Sequence, residues 1–290
     1  EGSSRIDGVL SLGDCQATIM CLCDLGATIE VISDGASASL LVHGRGLRGL
    51  QPPQKPLDCS RSGTTMRLLA GLLAGQSFDS VLTGKPQLLR RPMRRVTDPL
   101  RQMGAAISDT DGHGPLYIQG RGSLHGSTHD LAVASAQVKS AILLAGLYAD
   151  GTVTVRLPGP ARDHTERMLL AQVELGHGGQ EFLTYDTVSA SLDPSAISRI
   201  LPLECTVPGD FSSAAFLMAV GACVPGAEVK VTGVGTNLTR IGFLDVLRWM
   251  GADTTLTEAH EEGGEPVADI TVRGSELKGV TIGGDDVVRM

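Results

Sequence analysis

The chain has 290 residues, 42% of them hydrophobic. That suggests about two domains with large buried cores and excludes a disordered chain. A net charge of −8 and an aromatic content of 3% argue against a nucleic-acid surface, which needs a basic footprint or stacking platforms.

No apolar run reaches the ~18 residues of a membrane helix, and no signal peptide is visible. The cysteines at 15, 21, 23, 59, 205 and 223 form no CxxC pair and have no histidine at finger spacing. They read as reduced thiols of a cytoplasmic protein rather than metal ligands.

In chain order, the first predicted helix ends in Leu22-Cys23-Asp24-Leu25-Gly26-Ala27. Gly26 suits a left-handed cap, and Thr28-Ile29-Glu30-Val31 suits the strand after it. The segment from Leu57 to Gly75 comes next. Small and hydroxyl residues open it, Ser62-Gly63-Thr64-Thr65-Met66-Arg67 follows, and an apolar run closes at Gly75. It reads as a tight turn feeding the N-terminus of a buried helix, where free N–H groups and the positive dipole end attract anions. Arg67 and Arg91 can add bidentate charge. Plain capping by Ser62 explains the same residues equally well at this point.

Ser80-Val81-Leu82-Thr83 is strand-like and leads into Arg90-Arg91-Pro92-Met93-Arg94-Arg95. Such a run is usually a solvated face, but Pro92 biases Arg91 towards extended backbone that can aim it at a site. Leu100-Arg101-Gln102-Met103-Gly104-Ala105 repeats the first helix ending, with Ala106-Ile107-Ser108 as its strand.

A second apolar helix is predicted within Val133 to Gly151. Its start, Ser135-Ala136-Gln137, offers a hydroxyl, a backbone N–H and an amide, a set suited to a polyol or phosphate ligand. Lys139 within it reads as snorkelling or paired. After the strand Thr152-Val153-Thr154-Val155 comes the charge-dense Arg162-Asp163-His164-Thr165-Glu166-Arg167. His164 alone is a weak catalytic candidate. Gln172-Val173-Glu174-Leu175-Gly176-His177 is a weaker copy of the helix ending. Gly209-Asp210-Phe211-Ser212-Ser213 opens a third apolar helix and reads as structural capping. Val229-Lys230-Val231-Thr232 and Leu247-Arg248-Trp249-Met250-Gly251-Ala252 complete the pattern.

Gly26, Gly104, Gly176 and Gly251 are separated by 78, 72 and 75 residues. The order within each period is buried helix, strand, second helix ending in Gly, then two strands. The fold class is therefore α/β, built from repeated βαβαββ-like units. Helices that are apolar all round are predicted to be buried on every side, in a closed pseudo-symmetric arrangement with its helices inside.

Together, Leu57 to Leu69, Leu82-Thr83-Gly84 with Arg90-Arg91-Pro92-Met93, Val133 to Leu144, Arg162 to Leu169, and Val207-Pro208-Gly209-Asp210 with Ser212-Ser213-Ala214 resemble the 5-enolpyruvylshikimate-3-phosphate synthase family. The resemblance runs over essentially the whole chain. It implies an inside-out α/β barrel of βαβαββ units around buried helices, with residues 1–204 as most of the first domain and 205–290 as part of the second. It implies transfer of the enolpyruvyl group of phosphoenolpyruvate to the 5-hydroxyl of shikimate 3-phosphate, releasing phosphate, without metal or organic cofactor.

Carried over by motif, Gly63 and Arg91 resemble phosphoenolpyruvate contacts and Gln137 a residue bridging both substrates. Thr64, Ser135, Ala136 and Arg162 resemble shikimate 3-phosphate contacts, with Arg67 near the same anion. Glyphosate, a competitor of phosphoenolpyruvate in the family, is the implied inhibitor. A monomer, free of nucleic acid and membrane, is expected.

Two departures stand out: Ser60-Arg61 replaces the usual Gly-Asn, and Ala161 replaces a usual Ser. The start at Glu1 and the stop at Met290 read as a fragment lacking both ends. The family's Lys-Ser-x-x-x-Arg segment is expected before Glu1, and its catalytic Asp and Glu beyond Met290, so the fragment alone is expected to be inactive. Two alternatives stay open. The UDP-N-acetylglucosamine enolpyruvyl transferase family carries a cysteine near its Arg-Pro segment, whereas Leu88 to Arg95 has none. A non-catalytic anion-binding module is the other.

Overall fold

A computed structural model describes residues 2–33, 37–176 and 181–290. His177, the last residue of the weaker helix-ending copy, lies outside them. The chain divides into two compact units. One comprises Glu1–Pro158 and Gln172–Glu204; the other comprises Gly159–Ala171 and Cys205–Met290.

The elements run β1 (Gly2–Val9), α1 (Gly13–Asp24), β2 (Thr28–Ser33) and β3 (Ala38–Gly44). Then come β4 (Leu57–Asp58), α2 (Gly63–Ala74), β5 (Ser80–Thr83), α3 (Pro86–Leu89), α4 (Arg94–Gln102), β6 (Ala106–Thr110) and β7 (His113–Gln119). The next stretch holds β8 (Thr128–Asp130), α5 (Ala136–Gly146), β9 (Val153–Arg156), α6 (His164–Gln172), β10 (Val173–Leu175), β11 (Leu183–Tyr185), β12 (Ser189–Leu192) and β13 (Ile197–Ile200). The chain continues with β14 (Glu204–Thr206), α7 (Phe211–Cys223), β15 (Glu228–Gly235), α8 (Gly242–Trp249), β16 (Asp253–Glu262), β17 (Glu265–Arg273) and α9 (Asp285–Arg289).

The repeat is visible in the sheets. One has the order β4-β5-β7-β6, with β4 parallel to β5 and the other pairs antiparallel. Another, β8-β9-β12-β11, reproduces that order and those directions. In the second unit, Gly209 bridges in parallel to Val234 on β15, and β15-β17-β16 complete the same pattern. A parallel first pair needs a crossover, and the apolar helix supplies it each time. All these sheets are open, so among the described residues the expected barrel is an arrangement of separate sheets with no closed hydrogen-bonded ring.

Helix ends follow the sequence pattern. Gly26, Gly104 and Gly251 all have positive φ, at 84°, 96° and 98°, directly after a helix. The fourth copy departs from it. α6 stops at Gln172 and the chain passes straight into β10, which pairs with β13, so Gly176 follows a strand instead of capping a helix. The Gln172 carbonyl is taken by the Leu201 N–H.

The core of the first unit lies between α2 and α5. Leu69, Leu73, Ile142 and Leu143 are buried there. Gly71 sets the approach: a Cβ on it would sit 2.0 Å from the Ala141 carbonyl oxygen, so two backbones meet where no side chain fits. Lys139 is fully buried instead of snorkelling, and its charge helps to lower the pKa of Asp186, after the hydrogen bonds from Val188 and Ser189.

The second unit has its own core of Phe211, Met218, Leu244, Leu247, Ile270 and Val272. α7, expected to be buried on every side, is not. Phe216 is 79% exposed, and Leu217 and Val220 are more than half exposed. No second apolar helix packs on it as α5 packs on α2 among the described residues.

Segment 159–171 groups with the second unit through a polar hub. Asn237 donates to Asp163 at 2.7 Å and to Glu265 at 3.0 Å, Arg167 donates to Asp163 at 3.0 Å, and His164 pairs with Glu265 at 2.7 Å. Burying Asp163 and Asn237 is tolerable because each is satisfied by these bonds.

Candidate functional site

The turn before α2 is built by hydrogen bonds that the local sequence makes possible. Asp58 accepts from the Ser60 N–H at 2.8 Å, and the Ser60 carbonyl accepts from the Lys85 N–H at 2.7 Å. A Cβ on Gly84 would lie 2.6 Å from that carbonyl, so glycine is what lets the two loops close. Ser60 itself has φ 51°, a left-handed conformation that costs a non-glycine residue about 1 kcal/mol or more. Arg61 is exposed and has no carboxylate within 4.0 Å among the described residues.

Ser62 caps α2, its hydroxyl accepting from the Thr65 N–H at 3.1 Å. Thr65 also donates its hydroxyl to Ser62 at 2.8 Å and stands 2.7 Å from the Thr18 hydroxyl on α1. The cap consumes the Thr65 N–H and not those of Gly63 and Thr64, so capping by Ser62 leaves these first-turn N–H groups uncommitted.

Over that first turn two guanidiniums converge. A Cβ on Gly63 would lie 2.7 Å from Arg67 Nη1 and 2.8 Å from Arg91 Nη1. Arg67 is 9% exposed and donates to Gln137 Oε1 at 2.5 Å, while its Nε is buried without a partner. Gln137 in turn donates through Nε2 to Thr64 Oγ1 at 2.8 Å. Burial lowers the Arg67 pKa, and the positive charges of Arg95 and Arg91 lower it further. An arginine starts so high that it stays charged, so like charges are held together without a counter-ion. None of Arg61, Arg67, Arg90, Arg91, Arg94 and Arg95 has a carboxylate within 4.0 Å among the described residues. The hub around Asp163 has its acids, whereas the positive charge of this cluster is uncompensated among the described residues.

A family model described as EPSP synthase (3-phosphoshikimate 1-carboxyvinyltransferase) matches residues 1–285. The chain belongs to the EPSP synthase family. It is 49% identical over 283 residues to the 3-phosphoshikimate 1-carboxyvinyltransferase of Xanthomonas campestris, covering 97% of this chain and 62% of that protein. The enzyme of the same name from Herpetosiphon aurantiacus is 47% identical over 293 residues, covering 100% of this chain and 65% of its own. The solved EPSP synthase of Acinetobacter baumannii superposes with a TM-score of 0.88 at 42% identity, covering 100% of this chain and 63% of that one. The chain thus spans a little under two thirds of the length of these relatives, and it shares the inside-out α/β fold of the EPSP synthase family.

Of the residues singled out from the sequence, Gly63, Thr64, Arg67, Arg91 and Gln137 form one cluster. Ser135 and Ala136 stand at the start of α5, in the same turn as Gln137. Ser135 makes no side-chain cap there, which leaves its hydroxyl available. Arg162 belongs to the second unit. Partial burial and then the charge of Arg240 lower its pKa, and Asp210 opposes them.

α7 starts differently from α2. Asp210 accepts from both the Ser212 and Ser213 N–H groups, at 3.2 and 3.0 Å, and from Arg240 at 3.3 Å. Its carboxylate fills the place an external anion would take, which makes the structural reading of Gly209 to Ser213 the better one. His164 is engaged with Glu265.

Sequence reasoning missed one contributor. Thr18 reaches the α2 turn from a helix 47 residues earlier, and no local pattern announces such a contact.

No helix among the described residues is long and apolar enough to cross a membrane.

Proposed function

We propose that this chain provides much of the substrate site of an enzyme that transfers the enolpyruvyl group of phosphoenolpyruvate to the 5-hydroxyl of shikimate 3-phosphate. The observation that carries the reading is the convergence of the Arg67 and Arg91 guanidiniums on the bare Cα of Gly63. Phosphoenolpyruvate carries a carboxylate and a phosphate, and two planar forks beside free helix N–H groups suit such an anion. Gly63 lets both forks come this close to the helix start, because a methyl there would crowd both Nη1 atoms.

In the reaction the substrate hydroxyl adds to C2 of phosphoenolpyruvate while C3 gains a proton. The tetrahedral adduct then loses phosphate from C2 and a proton from C3. Atoms balance as enolpyruvyl ether plus inorganic phosphate. The residues of this chain hold and orient: Arg67 and Arg91 offset the anion charge, and Gln137 bridges the two reactants, a role supported by its bonds to both Arg67 and Thr64. Ser135 and Ala136 present a hydroxyl and an N–H to shikimate 3-phosphate. Positioning of this kind is worth much of the barrier in bimolecular reactions. No residue here is assigned the proton transfers.

The test uses a protein of the relatives' full length containing this sequence. Shikimate 3-phosphate and phosphoenolpyruvate are supplied together and phosphate release is followed. Release that requires both substrates is expected, and inhibition by glyphosate competitive with phosphoenolpyruvate is expected with it. No release would overturn the reading, whereas release with UDP-N-acetylglucosamine as acceptor instead would reassign it.

A further inference from the structure

We infer that Thr18 is a positioning residue of this anion site: its hydroxyl clamps the first turn of α2 onto α1 and so holds the turn from Gly63 to Arg67 in its binding pose. The inference rests on the proposed function and extends it to a residue outside the motifs that carry the family resemblance.

α1 grips the turn before α2 at both of its ends. Thr18 Oγ1 stands 2.7 Å from Thr65 Oγ1, and Cys21 Sγ donates to the Asp58 carbonyl at 3.6 Å. Residues three apart lie on one face of a helix, so a single face of α1 meets residues 58 and 65 and spans what lies between them. That stretch holds Ser60, the Ser62 cap and Gly63. Ser60 has φ 51°, and a non-glycine residue stays in such a conformation where its surroundings over-determine it. The two grips of α1 belong to those surroundings.

Thr18 acts on the cap through Thr65. Thr65 Oγ1 donates to Ser62 Oγ at 2.8 Å, and the Thr65 N–H meets the same oxygen at 3.1 Å. A hydroxyl carries one proton. With that of Thr65 given to Ser62, the 2.7 Å contact takes the proton of Thr18. The Asp14 carbonyl, 3.1 Å from Thr18 and 3.4 Å from Thr65, is a second, longer acceptor for the same pair. A chain of hydroxyls therefore runs from α1 into the N-cap of α2. Ser62 and Thr65 are 0% and 2% exposed, and at such depth a hydrogen bond is stronger and water does not replace a lost one. Thr65 follows Thr64, whose hydroxyl takes the Gln137 amide at 2.8 Å, and lies two residues before Arg67, which donates to Gln137 Oε1. The first turn of α2 is thus held from α5 by Gln137 and from α1 by Thr18. A slip at Thr65 moves the Gly63 and Thr64 N–H groups and the base of Arg67 together.

The test uses the same full-length protein and three variants. Thr18→Val keeps nearly the same shape and removes the hydroxyl, and Thr18→Ser keeps the hydroxyl. Ile19→Ala loosens α1 on another side, where Ile19 packs against the cluster of Val9, Ala38 and Leu40. Thr18→Val is expected to raise KM for phosphoenolpyruvate about three- to tenfold with kcat within about twofold, since a contact that places a bound anion acts on ground state and transition state alike. Thr18→Ser is expected to restore the parent KM. Ile19→Ala is expected to lower the thermal midpoint and leave KM unchanged. Hydrogen exchange adds a reading that needs no substrate. The Thr65 and Met66 amides are bonded to the Ser62 hydroxyl and carbonyl. They should exchange about three- to tenfold faster in Thr18→Val and at the parent rate in Thr18→Ser. Parent-like KM in Thr18→Val would overturn the role of Thr18, and so would Thr18→Ser impaired as much as Thr18→Val. An equal rise of KM in Ile19→Ala would reduce the effect to a general loosening of α1 and overturn it too. A parent without turnover on the two substrates would overturn the proposed function, whereas unchanged amide exchange in Thr18→Val would overturn the clamp, so the two failures are told apart.

Discussion

α2 and α7 occupy the same place in the repeat, each crossing between the first two strands of its sheet, yet they meet opposite fates. α7 is the more apolar of the two, but α2 is the one enclosed, with Met66, Ala70 and Leu73 fully buried while Phe216 of α7 stands in solvent. Their starts differ as well. α2 is capped by a neutral serine that leaves cationic space beside it, whereas α7 is capped by the Asp210 carboxylate. A repeated pattern therefore specifies a crossover helix, while its burial and its chemistry depend on what packs against it and on one capping residue.

The largest expected effects test burial. Gly71→Ala would force a methyl to within 2.0 Å of the Ala141 carbonyl oxygen, and the α2–α5 pair should lose about 3 kcal/mol as it moves apart. Hydrogen exchange of α2 and α5 amides would report it. Met66→Ala should cost a similar ~3 kcal/mol, whereas Phe216→Ala on α7 should change stability by no more than about 0.5 kcal/mol. Equal costs for these two in denaturant unfolding would break the comparison.

Next in size is Gly63→Ala. The atoms its methyl meets are the ends of two long side chains, which can swing away, so stability should hold within about 0.5 kcal/mol. Affinity for phosphoenolpyruvate should fall by about tenfold, because the displaced guanidiniums are the cations of the proposed site. Calorimetric titration alongside a thermal melt separates the two outcomes.

These contrasts show where sequence was informative. The helix endings at Gly26, Gly104 and Gly251 were readable because a left-handed cap demands a residue without Cβ. The Ser62 to Arg67 segment was readable because a small-residue helix start followed by an arginine has a local chemical meaning. Gly176 misled because its neighbours fit the pattern while the pairing of β10 with β13 decided the backbone. α7 misled because apolar composition reports a wish for burial and not the presence of a partner. Thr18 was invisible, since its contact with Thr65 is made by packing of α1 on α2.

Smaller effects sharpen the turn. Ser60→Gly should stabilise the chain by about 1 kcal/mol, by relieving the left-handed conformation at φ 51°. A lower denaturation midpoint would show that the Ser60 side chain contributes something the backbone argument omits. Smallest is a pH effect in the supporting sheet. His129 is buried between Ser127, 2.8 Å from Nε2, and Gln102, 3.1 Å from Nδ1, and burial holds its pKa below the usual histidine value, with Asp130 opposing. The unfolded chain then takes up the proton first. The stability that His129 contributes is complete above about pH 6.5 and is lost as pH falls from there through the folded value. His129→Asn should therefore show less loss of midpoint between neutral and mildly acidic pH than the parent.

The comparison is tested most directly by backbone amide shifts in an NMR titration with phosphoenolpyruvate. The account predicts saturable shifts centred on the Gly63 and Thr64 amides, with Ser212 and Ser213 at the start of α7 unmoved. Shifts of equal size at both helix starts, or none at Gly63, would contradict it.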